Sequence, residues 1–84
     1  MQLDVAEMLK DNLGKTVLIK IKRGKNLRGL LEGFDQHLNL LLRGVEDVSL
    51  PEKAEKLGTT VIRGDNISFI ILAQTAIPPR EGGG

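Results

Sequence analysis

The sequence predicts a mainly β protein, with one short N-terminal helix followed by five strands that curl into a small barrel. Three observations predict it. Helical periodicity is confined to residues 1–13. Beyond Gly14, apolar residues recur mostly at alternate positions in short runs broken by glycine, asparagine or charged turns. The second of these runs carries Gly29 and Gly33, four residues apart on one face. Glycine inside a strand marks a bend, a bulge or a close backbone approach, and strong bending is what closure of a small barrel requires.

Taken in order, Asp4 reads as a helix cap with Glu7 at the third helical position, and Val5, Met8, Leu9 and Leu13 form one apolar stripe ending at Gly14. The spacing predicts a helix over about 4–13 that lids one end of a sheet; Asp4, Glu7 and Asp11 disfavour an anionic membrane surface. Strands follow over about 16–23, 26–35, 38–46, 58–64 and 66–73. In the first, Val17, Ile19 and Ile21 face inward. The third has Leu38, Leu40 and Leu42 on one face and Asn39, Leu41 and Arg43 on the other. Between the third and fourth, Glu46 to Lys56 is charged, contains Pro51 and reads as a solvated loop or hairpin end. In the fifth strand, Ile67, Phe69 and Ile71 share one face while Ile70 and Leu72 share the other. A single domain over 1–76 and a disordered tail over 77–84, with Pro78-Pro79 and three terminal glycines, complete the expected organisation.

Eighty-four residues, 40% of them apolar, allow one modest core, and with no cysteine neither a disulfide nor a thiolate metal site supports it. A fifth strand apolar on both faces therefore needs a second covering surface, either the N-terminal helix or, as the small core and open edges favour, another copy along a sheet edge. No apolar run approaches the ~20 residues that span a bilayer, and no signal-peptide pattern opens the chain, so a soluble, cytoplasmic protein is expected. The net charge is +1, but its distribution is uneven. Lys15, Lys20, Lys22, Arg23, Lys25 and Arg28 fall in a stretch without an acid, which can make a basic surface on a nearly neutral protein.

The stretch from Gly33 to Asn39 concentrates the candidate chemistry. If it is extended, Asp35, His37 and Asn39 lie on one side, where they must meet water, a partner or each other. At this point the chain resembles the Sm/Lsm family, and its archaeal Sm-like members most. The likeness lies in Val17 to Val45, which holds Gly29, Gly33-Phe34-Asp35 and His37-Leu38-Asn39 at the spacing of the family's first motif. It continues in Val61-Ile62-Arg63-Gly64-Asp65-Asn66, which matches the second. The resemblance implies a strongly bent five-stranded antiparallel Sm-like (SH3-like) barrel capped by the helix. It also implies a homo-oligomeric ring, usually of seven copies, in which the fourth strand pairs with a neighbour's fifth. The implied ligand is U-rich single-stranded RNA around a central pore, with RNA-processing proteins as further partners. By motif position, His37 and Arg63 would sandwich a base and Asn39 would bond its edge. Asp65 would orient Asn39 or shape the pocket, Gly64 and Asn66 would form its wall, and Asp35 would support the loop. Leu38 stands where eukaryotic relatives commonly carry methionine, an exchange expected to be neutral in a core.

The chemistry agrees with that implication. Single-stranded RNA is recognised through unstacked bases laid on aromatic or guanidinium planes and bonded at their edges, and an asparagine amide offers both a donor and an acceptor. Catalysis is not expected. Asp35 and His37 lack further metal ligands at a recognisable spacing, no nucleophile is set beside a histidine, the glycines form no phosphate loop, and no cofactor is implied. Arg63-Gly64-Asp65 matches a cell-adhesion tripeptide, but without a secretion signal that reading is set aside. Arg63 as an ion-pair partner of Asp65 or Glu46 remains a structural alternative. The function expected is an RNA scaffold or chaperone in RNA processing or ribonucleoprotein assembly. The other reading is a small-barrel protein-interaction module without direct RNA recognition.

Overall fold

A computed structural model describes residues 4–72; residues 1–3 and 73–84, with the expected tail over 77–84, lie outside it. The elements are α1 (Val5–Lys10), β1 (Thr16–Ile21), β2 (Asn26–Phe34), β3 (Leu40–Asp47), β4 (Glu55–Ile62), a 3₁₀ turn (Gly64–Asn66) and β5 (Ile67–Ile71). All strand pairs are antiparallel, in the order β4-β3-β2-β1-β5. The mainly β class, the short leading helix and the five-stranded bent sheet are as the sequence predicts.

The helix is shorter than its apolar stripe suggests. Asp4 caps it by accepting from the Glu7 amide at 3.1 Å. After Lys10 the chain tightens, as the Asn12 and Leu13 amides donate to Leu9 and Lys10 rather than one residue further back. The Asn12 side chain takes the Met8 carbonyl at 2.8 Å. Gly14, at φ +81°, then turns into the sheet, and its amide donates to the Leu31 carbonyl at 2.8 Å. Of the stripe, only Leu9 is buried; Val5, Met8 and Leu13 stay exposed because a single short turn of helix rests one side chain on the core.

That core is Leu9, Val17, Ile19, Leu27, Leu31, Leu40, Leu42, Val45 and Ile62, drawn from the helix and four strands. Alternation brings in all the strand residues but Val45, which the register shift after Leu42, at Gly44 with φ +62°, returns to the core face. Gly29 is buried where β2 crosses β3: a Cβ there would stand 2.8 Å from Val45 Cγ2 and 3.3 Å from the Arg43 carbonyl oxygen. The β2–β3 register shifts twice, once across Gly29, between Arg28 and Leu30, and again between Leu31 and Gly33. These irregularities bend β2. Gly33 faces only Leu41 Cβ, at 4.0 Å, so its contribution is to the second shift and not to a close approach.

Several strand boundaries differ from expectation for local reasons. The fourth strand, expected to reach 64, ends at Ile62 because Gly64–Asn66 form the 3₁₀ turn, and the fifth runs only over Ile67–Ile71. The first strand stops at Ile21, because the Lys22 amide leaves the β1–β2 ladder for the Asn66 carbonyl and Gly24 turns at φ +96°. The third begins at Leu40, because Leu38 adopts φ +62° and cannot extend the strand. The charged segment is ordered further than its composition suggests, since Glu46 and Asp47 pair with Lys56 and Glu55, leaving only residues 48–54 as the connection.

The fifth strand departs from strict alternation. Ile67 pairs with Ile21 and Phe69 with Lys20, so Ser68 is an extra residue, a bulge that reverses the side-chain parity. Ile67, Ile70 and Leu72 therefore pack against the core, while Phe69 and Ile71 point outward. The expected grouping of Ile67 with Phe69 and Ile71 is corrected accordingly. The two ends of the strand order, β4 and β5, are open edges among the described residues, and both expose apolar side chains: Leu57 and Val61 on β4, Phe69 and Ile71 on β5.

Candidate functional site

Asp35, His37 and Asn39 converge, but not by strand alternation. Residues 35–39 form a turn between β2 and β3, closed by the Asp35 amide to the Asn39 carbonyl (3.1 Å) and the Leu38 amide to the Asp35 carbonyl (3.0 Å). The Asp35 carboxylate gathers the rest. It accepts from the His37 amide at 2.9 Å, the Asn39 amide at 3.0 Å and the Asn39 side-chain Nδ2 at 2.9 Å. A period of two and a turn folded onto a carboxylate place the same three residues together, which is why the pattern is compatible with an extended strand although the conformation is a turn. Hydrogen bonding from the Asn39 side chain, then from the Asn39 and His37 amides, holds the Asp35 carboxyl below its usual range.

The second segment meets this turn through Asn39. Its Oδ1 accepts the Gly64 amide at 2.8 Å while its Nδ2 donates to Asp35. Those two partners fix which way round the amide lies, since a carboxylate requires the NH₂ and an amide N–H requires the oxygen. Asparagine has four hydrogen-bonding positions, so one N–H and one lone pair remain. Gly64 is also sterically required. A Cβ there would fall on the His37 carbonyl oxygen and lie 2.9 Å from that of Leu38. The His37–Leu38 backbone thus packs on the residue after Arg63, with the left-handed Leu38 at the contact.

His37 and Arg63 are exposed, as are Asp65 and Asn66, whereas Asn39 and Gly64 are half-buried. Arg63 Nη2 and Asp65 Oδ2 are 3.0 Å apart, a surface pair that orients the guanidinium and contributes little stability. Of the two acids named as ion-pair partners for Arg63, Asp65 is the one it meets, while Glu46 takes Arg28 instead, at 2.8 Å. Of the two roles that the resemblance implies for Asp65, orienting Asn39 or shaping the pocket, the first is taken by Asp35, whose carboxylate accepts from the Asn39 side-chain amide. Sequence reasoning did not find Leu38 as part of the contact, because leucine gives no sign of a positive φ. It also passed over the depression beside Asn39, whose walls include Phe34, Leu41 and the 67% exposed Val61. No group of three or more potential metal ligands occurs among the described residues.

Residues 7–72 match the LSM domain. The chain belongs to the LSM family. It is 38% identical over 64 residues to the snRNP Sm-like protein of Methanococcoides burtonii, an alignment covering 76% of this chain and 89% of the relative. To that of Thermococcus onnurineus it is 43% identical over 64 residues, covering 76% and 82%. Among solved structures, the P. aerophilum SmAP1 heptamer is similar, with a TM-score of 0.80 at 37% identity, covering 89% of this chain and 100% of that one. The Pyrococcus abyssii Sm protein in complex with a uridine heptamer has a TM-score of 0.77 at 35% identity, covering 84% and 100%. Archaeal Sm-like proteins are thus the relatives that the two motifs point to. No helix among the described residues is long and apolar enough to cross a membrane.

Proposed function

We propose that this chain is the subunit of a homo-oligomeric Sm-like ring that binds U-rich single-stranded RNA and serves as a scaffold or chaperone in cytoplasmic RNA processing or ribonucleoprotein assembly, without catalysis. The observation that carries the reading is the Asn39 amide, held between the Asp35 carboxylate and the Gly64 amide with one donor and one acceptor left over. Uracil's edge presents a donor and an acceptor in turn, so the free positions of one fixed amide complement it. The His37 ring and the Arg63 guanidinium, from the two segments that meet at Gly64, supply the planes for stacking, with Asp65 steadying the guanidinium and Asn66 closing the turn. A uridine heptamer bound to the Pyrococcus abyssii protein supports uridine as the base.

The ring follows from the edges. A β4 edge and a β5 edge on one subunit make a head-to-tail contact, which closes when the rotation per copy allows. Pairing them hides unsatisfied backbone groups and covers Val61 and Phe69 together. The heptameric archaeal Sm protein, 41% identical with a TM-score of 0.74, supports seven copies. Repeating a weak pocket around such a ring raises the total affinity through effective concentration.

The test is His37→Ala and Arg63→Ala. Each removes one stacking plane, worth ~1–3 kcal/mol per base, from an exposed side chain. Each should weaken oligouridine binding in a fluorescence-anisotropy titration at fixed salt while native mass spectrometry still finds the ring. Unchanged affinity in both variants overturns the pocket.

A further inference from the structure

The basic stretch from Lys15 to Arg28 is not absorbed by the base pocket, and the structure sorts it. Arg28 pairs with Glu46 at 2.8 Å and Lys25 with Asp47 at 3.8 Å, so the acids at the end of β3 neutralise one flank. Lys20 Nζ reaches the Gly24 carbonyl at 3.5 Å. Lys22 and Arg23, at the tip of the β1–β2 hairpin, are exposed, and their side chains make no hydrogen bond or ion pair among the described residues.

Their position is set by the same three-residue turn that completes the pocket. At one end Gly64 donates to Asn39; at the other the Asn66 carbonyl accepts the Lys22 amide at 2.9 Å. The nearest acid in that turn, Asp65, is taken by Arg63. Two uncommitted cations therefore stand one short turn from the place where a base would be held. We infer that the Lys22–Arg23 hairpin tip is a phosphate contact that guides the RNA backbone past the pocket, adding affinity without base preference. This rests on the proposed RNA-binding reading of the neighbouring site. A strongly charged backbone attracts cations wherever it leaves a base pocket, and such contacts position a strand while the pocket reads it. Lysine supplies a point charge and arginine a fork, and both suit phosphate oxygens.

The experiment compares the intact protein with the double variant K22A/R23A and with K10A/K53A, which removes the same charge at exposed sites away from the turn. Two probes separate pocket from track: long oligouridine, and the nucleoside uridine, which has the base but no phosphate. For K22A/R23A, oligouridine affinity at low salt should fall by about tenfold. The slope of log affinity against log salt should also fall by about 0.7 for each phosphate no longer neutralised. Uridine, followed by NMR, should bind as before. Equal losses in K22A/R23A and K10A/K53A overturn the inference, as does a loss of uridine binding in K22A/R23A. If His37→Ala and Arg63→Ala leave oligouridine affinity unchanged while K22A/R23A lowers it, the pocket reading fails and the phosphate track stands. Absence of oligouridine binding by the unaltered protein overturns both.

Discussion

Two hairpin connections of this chain use one device and arrive at different ends. The connection of β2 to β3 starts from Asp35, and that of β3 to β4 starts from Asp47; each carboxylate accepts the amide of the residue two places on. Asp47 also accepts the Ser49 hydroxyl, which with the Ser49 amide holds the Asp47 carboxyl below its usual range, much as Asn39 does for Asp35. The difference lies in what the ordered loop leaves over. Ser49 Oγ goes on to accept the Asn26 amide at 2.9 Å, so its hydrogen bonds stay within the fold and pin the hairpin to β2. Asn39 reaches out to Gly64 and keeps a free donor and acceptor. A carboxylate anchor orders a loop; only the loop with an unsatisfied, fixed polar group can recognise a ligand.

The sharpest way to break this contrast is Gly64→Ala. The added methyl meets backbone atoms of His37 and Leu38, which cannot swing aside as a flexible side chain would. We expect a stability loss of about 1–3 kcal/mol in urea unfolding and loss of oligouridine binding by at least about tenfold. Wild-type values for both would mean that the two segments do not meet as described.

A smaller effect separates the two anchors directly. Asp35→Ala frees the Asn39 amide to rotate and should weaken oligouridine binding by about tenfold. Asp47→Ala should lower the thermal midpoint but leave affinity within about twofold, because Ser49, which it hydrogen-bonds, faces away from the base pocket and its 3.8 Å pair with the exposed Lys25 is weak. Anisotropy and thermal melts on the two variants check this, and equal effects on binding would erase the distinction.

How much of this was legible follows from how far each signal reaches. The helix start at Asp4, the alternation of Val17, Ile19 and Ile21, and the bend at Gly29 are local patterns with local causes, and they are found as expected. The Ser68 bulge and the left-handed Leu38 are local too, but neither residue type announces them, since the surrounding register and the Asp35 carboxylate impose them. The bond from Asn39 to Gly64 spans 25 residues, and no periodicity links those positions. Resemblance to a family with two paired motifs put both in one site; the residues alone marked only half of it. The division of labour between Asp35 and Asp65 was hidden for the same reason, as both lie within reach of an asparagine until a fold chooses.

The smallest effect, acid sensitivity, tests whether the two anchors are equivalent as stabilisers even though they differ in function. Each carboxyl is held below the ordinary aspartate value of 3.8 by hydrogen bonds that exist only in the folded chain. A depressed folded value means that the unfolded chain takes up the proton first as pH falls. The contribution is therefore fully present above about pH 4–5 and is lost as pH drops through 3.8 toward the folded values. Urea midpoints measured from neutral pH down to about pH 2 should thus be flat from these groups at first and then decline. Asp35→Asn and Asp47→Asn should each make that decline shallower, and the double variant shallowest, because a group that cannot titrate cannot transfer acid into stability. At neutral pH, however, only Asp47→Asn should keep wild-type oligouridine affinity. A decline in the double variant as steep as in the unaltered protein would assign acid sensitivity to other carboxylates and remove the shared device from the comparison.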